Sequence, residues 1–349
     1  MKAPDFWWDR SPGVLARLLL PFGALYGAIT AHRMAGKGLE PAVPVICIGN
    51  FTAGGAGKTP TALALAEALM AHGERPVFLS RGYGGTEAGP LLVETGRHSA
   101  AEVGDEPLLL ARLAPTIIAR DRLAGAHAAV AAGASLIIMD DGLQNPALQK
   151  DIAIAVVDGG AGFGNGLSVP AGPLRAPVRD QSRHVDALLA IGMGKGITEA
   201  VGVGAAAGKP VFRSNFSVDD AVADRLGGTR VLAFTGIGRP QKFFETLVDL
   251  YAKIEGAHPF PDHHAFTDAE ATMLLEAAKA RALLPVTTEK DLARLTGTPA
   301  RDALRQASFA LPIRLPLPEG LVTLVVEKLS ACRARRQGTP PASHMPPGA

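Results

Sequence analysis

Beyond residue 44 the chain alternates between short unbroken apolar runs and longer stretches whose apolar side chains recur at helical spacing. Unbroken apolar runs bounded by glycine or charge are strands buried on both faces, as in a parallel sheet flanked by helices. Val45–Gly49, Pro76–Ser80, Thr116–Ala119, Ser135–Asp140, Ile152–Val157 and Ala187–Ile191 are the strands this predicts. Thr59–His72, Glu106–Leu113 and Arg122–Ala132 are the helices between them. Gly192–Gly208 reads as a loop or weak helix, followed by a strand near Val211–Phe216. A second α/β unit begins at Arg230, with a strand at Val231–Phe234 and a helix from about Pro240. A helix over Thr267–Arg281, with Thr267 and Glu270 spaced as a capping box, and a strand at Pro285–Thr288 complete it. The fold class expected is α/β, a mainly parallel sheet between helical layers with a smaller C-terminal α/β domain. The domain limits read 1–40, 41–228 and 229–332, and the proline-rich tail 333–349 reads as disordered.

Ahead of the first strand the pattern is different. Leu15, Leu18, Leu19, Phe22, Leu25, Tyr26 and Ile29 recur at helical spacing, preceded by Trp7 and Trp8 and accompanied by Arg10, Arg17, Arg33 and Lys37. Arg17 and Pro21 interrupt the run, which is shorter than the roughly 20 apolar residues a bilayer span requires. A helix lying among lipid headgroups and a helix packed on the protein's own surface both satisfy these residues. No small-residue cleavage site follows, so a secretory leader is not expected.

At 349 residues, 47% hydrophobic and 19% charged, the chain has room for two domains with substantial cores. A net charge of +2 provides no basic field for nucleic acid. The two cysteines, Cys47 and Cys332, form no CxxC pattern and read as inert thiols.

The chemistry concentrates at strand ends. Between Val45–Gly49 and the helix from Thr59 stands Asn50-Phe-Thr-Ala-Gly-Gly-Ala-Gly-Lys-Thr59. A glycine-rich turn between strand and helix can cradle phosphates on successive N–H groups, with Lys58 reaching the β/γ-phosphates and Thr59 holding Mg²⁺. Thr52 stands where the usual pattern opens with glycine; Gly54, Gly55 and Gly57 remain, with Ala53 and Ala56 between. Asp140 and Asp141 end a buried strand, where ligands of open parallel sheets sit, and carboxylates there suit Mg²⁺. Asp105 and Glu106, followed by Pro107, read either as a helix N-cap or as the place of a base that orients an attacking hydroxyl. His263 and His264 follow Asp262; without a further Cys/His cluster, a histidine that orients a carboxylate is a better use than zinc. Arg81, Arg120, Arg122 and Arg175 cluster at predicted strand ends and suit phosphate recognition or neutralisation of transition-state charge.

Taken in order, VICIGNFTAGGAGKTP, SRGYGG, GDEP, ARDR, IIMDDGLQN, PAGPLR, FTGIGRPQKFF, FPDHHAF and TTEKDLARL closely resemble the tetraacyldisaccharide 4′-kinases of Gram-negative bacteria. The resemblance runs from about residue 43 to 295 and implies a P-loop-type three-layer α/β/α core that closes with its smaller partner around ATP. It implies transfer of a phosphate to the 4′-hydroxyl of an acylated glucosamine disaccharide 1-phosphate, giving lipid IV-A. It further implies phosphate binding by residues 52–59, metal placement by Thr59, Glu106, Asp140 and Asp141, and Asp105 as base with His263 as partner. Arg175 is implied near the transferred phosphate, and Arg81, Tyr83 and Arg120 at the lipid headgroup. The N-terminal helix resembles the family's membrane-docking segment, so the expected location is peripheral, on the cytoplasmic face of the inner membrane. Neither nucleic acid nor an obligate protein partner is expected.

One departure stands out: the family usually has glutamate after PLR, where this chain has Ala176. Membrane-cycling ATPases usually carry lysine directly before the glycine pair, where this chain has Ala53, and Thr288-Glu-Lys-Asp291 has the wrong spacing for a guanine motif.

Overall fold

The computed structural model describes residues 3–9 and 11–338; Arg10 and the tail segment 339–349 lie outside the described residues. The larger sheet is built from β1 (Val45–Gly49), β2 (Pro76–Ser80), β3 (Leu91–Leu92), β4 (Thr116–Ile118), β5 (Leu136–Asp140), β6 (Ile152–Asp158), β7 (Ala187–Ile191) and β8 (Val211–Ser214). Its eight strands run in the order β3-β4-β2-β5-β1-β6-β7-β8, parallel throughout except that β3 is antiparallel to β4. Alternate side chains of these strands enter two separate cores. Ile46, Ile48 and Ile138 pack with Leu65 and Leu69 of the helix Lys58–Ala71 on one face. Val45, Cys47 and Ile137 face the other layer with Ala126 and Ala129 of Arg122–Ala131 and Ala200 of Lys195–Ala207. This is the three-layer arrangement expected for such apolar runs.

The smaller sheet contains β9 (Arg230–Thr235), β10 (Lys253–Pro259), β11 (Leu284–Thr288) and β12 (Phe309–Leu311), all parallel in the order β10-β9-β11-β12. Two expectations need correction. Glu319–Gly338 is a single helix, so residues 333–338 are not disordered. Leu321, Val325 and Leu329, four residues apart, fill the core of the larger sheet rather than the smaller one, so the chain returns to its first domain. Arg333 then pairs with Glu74 and Arg336 with Asp151. These pairs hold the last turns that composition alone assigned to a tail. Gly192–Gly208 likewise contains a full helix, Lys195–Ala207.

At the N-terminus, helix Val14–Leu18 is followed by helix Leu20–Met34, which lies against the segment around residues 168–177. The contact is made by small residues. A Cβ on Gly23 would come within 2.6 Å of the Ser168 carbonyl oxygen, and one on Gly27 within 2.7 Å of Ser168 Oγ. The large side chains point away: Val14, Leu18, Phe22 and Leu25 are 62–76% exposed. Trp7 departs from the headgroup reading, since it is buried and its indole N–H donates to the Pro170 carbonyl at 3.0 Å. No helix among the described residues is long and apolar enough to cross a membrane.

Candidate active site

β1 ends at Gly49, and the turn to the helix Lys58–Ala71 is made possible by Gly54 and Gly57, whose φ values of 112° and 94° exclude most side chains. Thr52 needs no such freedom. Its backbone forms an antiparallel bridge with Leu174, and the N–H of Ala53 donates to the Pro173 carbonyl at 2.7 Å. Lys58 Nζ lies 3.4 Å from Asn50 Oδ1, 3.5 Å from the Gly54 carbonyl and 3.6 Å from Asp141 Oδ2. These are long contacts, so the buried ammonium is surrounded by acceptors and held tightly by none.

The two acids that end β5 have opposite environments. Asp140 is buried, accepts from Thr59 Oγ1 at 3.3 Å through one oxygen, and its Oδ1 has no hydrogen-bond partner among the described residues. Burial and the nearby Glu106 carboxylate push its pKa up to about 7. Asp141, with φ of 56°, gives both oxygens to Arg175 at 2.7 and 2.8 Å. Burial would raise its pKa, but Lys58 and Arg175 hold it at about 2. The two were expected to act together on a metal. They differ in partners: Asp141 spends one acceptor position of each oxygen on the Arg175 fork, whereas Asp140 keeps an oxygen with no partner among the described residues.

Arg175 is fixed in turn by the Thr52 carbonyl at 3.2 Å and Gln144 Oε1 at 3.1 Å. The PLR segment therefore braces the phosphate loop from the side. Ala176, where glutamate was expected, is fully buried in the core with Phe51 and Phe163.

Asp105 and Glu106 open the short helix Asp105–Leu110. They do not cap it: Gly104 occupies that position at φ of 90°, where a Cβ would also meet the Tyr83 carbonyl at 2.5 Å. Freed from capping, both carboxylates face the smaller domain. Glu106 accepts from Lys290 Nζ at 2.8 Å. Asp105 is buried, lies 3.3 Å from His263 Nδ1 and is ion-paired to Arg294. Burial alone would raise the Asp105 pKa, but the His263 hydrogen bond and the Arg294 and Lys290 charges hold it well below the usual carboxylate range. The Asp105 hydrogen bond in turn raises the pKa of His263.

His264 is not part of this cluster; it pairs with Glu270 at 2.9 Å and stacks on Phe260. Tyr83 meets the His263 ring edge-on, with centroids 5.9 Å apart. Arg120 bonds the Thr86 carbonyl at 3.1 Å, and Arg81 and Arg120 are both exposed beside the same loop. Arg122 is buried on the Ala119 carbonyl and serves the strand end.

Sequence reasoning missed Lys290, Arg294 and the buried Asp291. The available signal was the spacing of Lys290 and Arg294, four apart after a strand, which puts both cations on one helix face. It also missed a second cross-domain contact, in which Asp158 at the end of β6 takes Arg239 at 2.9 Å and Lys242 at 3.1 Å.

The family model described as Tetraacyldisaccharide-1-P 4′-kinase matches residues 15–330. A tetraacyldisaccharide 4′-kinase of Methylobacterium sp. (strain 4-46) is 54% identical over 97% of this chain and 100% of its own length. One of Rhodopseudomonas palustris (strain BisB5) is 48% identical over 96% of this chain and 99% of its own. The solved structure described as the "apo" form of LpxK from Aquifex aeolicus in complex with ATP superposes with a TM-score of 0.69 at 28% identity, covering 90% of this chain and all of that one. With a family match running from the N-terminal helix to the last one, and relatives matched end to end, this chain belongs to the tetraacyldisaccharide 4′-kinase family and is a kinase.

Proposed function

We propose that this chain transfers the γ-phosphoryl group of ATP to the 4′-hydroxyl of an acylated glucosamine disaccharide 1-phosphate, giving lipid IV-A at a membrane surface. The observation that carries this reading is the meeting of Asp105 and His263, from different domains, beside a phosphate loop. The acceptor oxygen forms a bond to the γ-phosphorus, the bond to the β,γ-bridging oxygen breaks, and ADP leaves. The hydroxyl proton passes to the Asp105 carboxylate. In a loose transition state the proton moves late, so the base serves chiefly to orient the nucleophile. A carboxylate held ionised by His263 and Arg294 suits that role, since it always presents an acceptor.

Lys58, whose contacts within the protein are all at 3.4 Å or longer, directs its charge to the β/γ-phosphates, and residues 52–57 offer backbone N–H groups to them. The unpartnered Oδ1 of Asp140 fits a cation. Thr59, Asp140 and Glu106 would hold Mg²⁺, which when bound neutralises phosphate charge. Arg175 acts on this site by fixing Asp141 and Thr52. Tyr83, edge-on to His263, and the exposed Arg81 and Arg120 on the loop beside it recognise the acceptor's sugar and phosphate. Incubating purified protein with ATP and tetraacyl disaccharide 1-phosphate should add one phosphate to the lipid by mass; ATP consumption without a heavier lipid would reject the reading.

Membrane association, at the inner face where the acceptor would be reached, is carried by the N-terminal helices. Their small residues face the protein and their large apolar ones face out, the reverse of a helix that serves its own core. Replacing Leu18, Phe22 and Leu25 by glutamate should reduce co-sedimentation with phospholipid vesicles at least about tenfold, given roughly 1.5–3 kcal/mol for each large side chain buried in an apolar phase. Unchanged sedimentation would leave these helices with no lipid role.

A further inference from the structure

Asp105 and His263 sit on different domains, so their pairing needs a third group to fix it. Arg294 occupies that place. It is buried; one arm of its guanidinium pairs with Asp105, and the same nitrogen lies 3.3 Å from His263 Nδ1. The other arm donates to Asp291 Oδ1 at 2.8 Å and to the Gly236 carbonyl at 2.8 Å. Asp291 is fully buried and itself immobile, since it accepts from Thr235 Oγ1 at 2.7 Å, the Gly236 N–H at 3.0 Å and Thr288 Oγ1 at 2.7 Å. A chain of buried hydrogen bonds therefore runs from the end of β9, through Asp291 and Arg294, to the carboxylate on the larger domain. A planar guanidinium with donors on two edges can set both the distance and the rotation of that carboxylate, which lysine's point charge cannot.

We propose that Arg294 is the positioning residue of the catalytic pair: it sets the Asp105 carboxylate against His263 when the smaller domain is in place. This rests on the kinase reading of the site. Arg294 touches no part of the phosphate loop, so its effect belongs to turnover rather than to nucleotide binding. It is also not the only tie between domains, because Lys290–Glu106 and Arg239–Asp158 bridge them independently.

The test compares Arg294→Gln, Arg294→Lys, Asp105→Asn and the double variant Asp105→Asn/Arg294→Gln, each as the full chain, with ATP and the acylated disaccharide 1-phosphate. Misplacing a reacting group by about 1 Å costs on the order of 10²-fold, so Arg294→Gln should lower kcat about a hundredfold with KM for ATP within about threefold of wild type. Arg294→Lys should recover only part of the loss. In the Asp105→Asn background the carboxylate to be positioned is gone, and removing Arg294 should cost less than about threefold more.

A structural role alone predicts instead that the two losses multiply and that KM rises with the fall in kcat; either result overturns the proposal, as does kcat for Arg294→Gln within about threefold of wild type. If Arg294→Gln fails to fold, Arg294→Lys alone and with Asp105→Asn carries the same comparison, with full activity of the Lys variant as the overturning result. Wild-type protein that leaves the lipid unphosphorylated would overturn the kinase reading and this inference together, which separates the two failures.

Discussion

Asp105→Ala should lower turnover by about 10²–10⁴-fold, the usual contribution of a positioned proton acceptor, while ATP still binds. The structure separates those two effects. Asp105 lies on the helix Asp105–Leu110, and its partners Arg294 and His263 come from the smaller domain. The phosphate loop's own contacts run to Asn50, Asp140, Asp141 and the PLR segment, and none of them uses Asp105. Nucleotide affinity measured by direct titration should therefore stay within a few-fold of wild type. Arg294 keeps Asp291 as a buried counter-charge, so the cluster does not become an unpaired buried cation. Turnover of the alanine variant within tenfold of wild type would remove Asp105 from the reaction.

Lys58→Ala is the second large loss, about 10²–10³-fold in kcat with a raised KM for ATP. Removing one preorganised donor aimed at developing charge costs that much, and this lysine also contacts the ground-state phosphates. The variant should fold normally. The Lys58 contacts are all at 3.4 Å or longer, and Asp141 keeps its two-point pair with Arg175 when Lys58 is gone. Unfolding monitored by circular dichroism supplies the control. A variant of wild-type stability with wild-type kcat would show that the ammonium does not reach the phosphates.

Which features were legible before the structure follows from how each is encoded. β1, β2, β5, β6 and β7 are short apolar runs because they are buried on both faces, and their limits read within a residue or two. β10 and β12 escaped: Lys253–Pro259 is half exposed and carries Lys, Glu, Gly and His, so no period survives. The helix Lys195–Ala207 was obscured by glycines that serve close packing; Gly204 lies against Val211. The helix Glu319–Gly338 went unread although Leu321, Val325 and Leu329 mark its buried face. The N-terminal helix left two readings open because its spacing is the same whether the large or the small residues face inward. Its orientation was settled by Gly23 and Gly27, a contact between distant segments.

The same division runs through the candidate site. Local order in the chain determined the phosphate loop, since a buried strand, three glycines, Lys58, Thr59 and a helix are neighbours in sequence and their geometry is set within one turn. It also determined that carboxylates end β5, because strand polarity dictates which end of the sheet a terminal acid reaches. Only the tertiary structure decided that Asp140 and Asp141 have opposite surroundings, for the difference lies in Arg175 and burial. Only it decided which of two adjacent histidines meets Asp105, and that Arg294, 189 positions beyond Asp105 in the chain, touches both members of that pair. Motifs record what a residue can do over a few neighbours. A pair made across two domains depends on how both sheets fold and dock, which no local spacing contains.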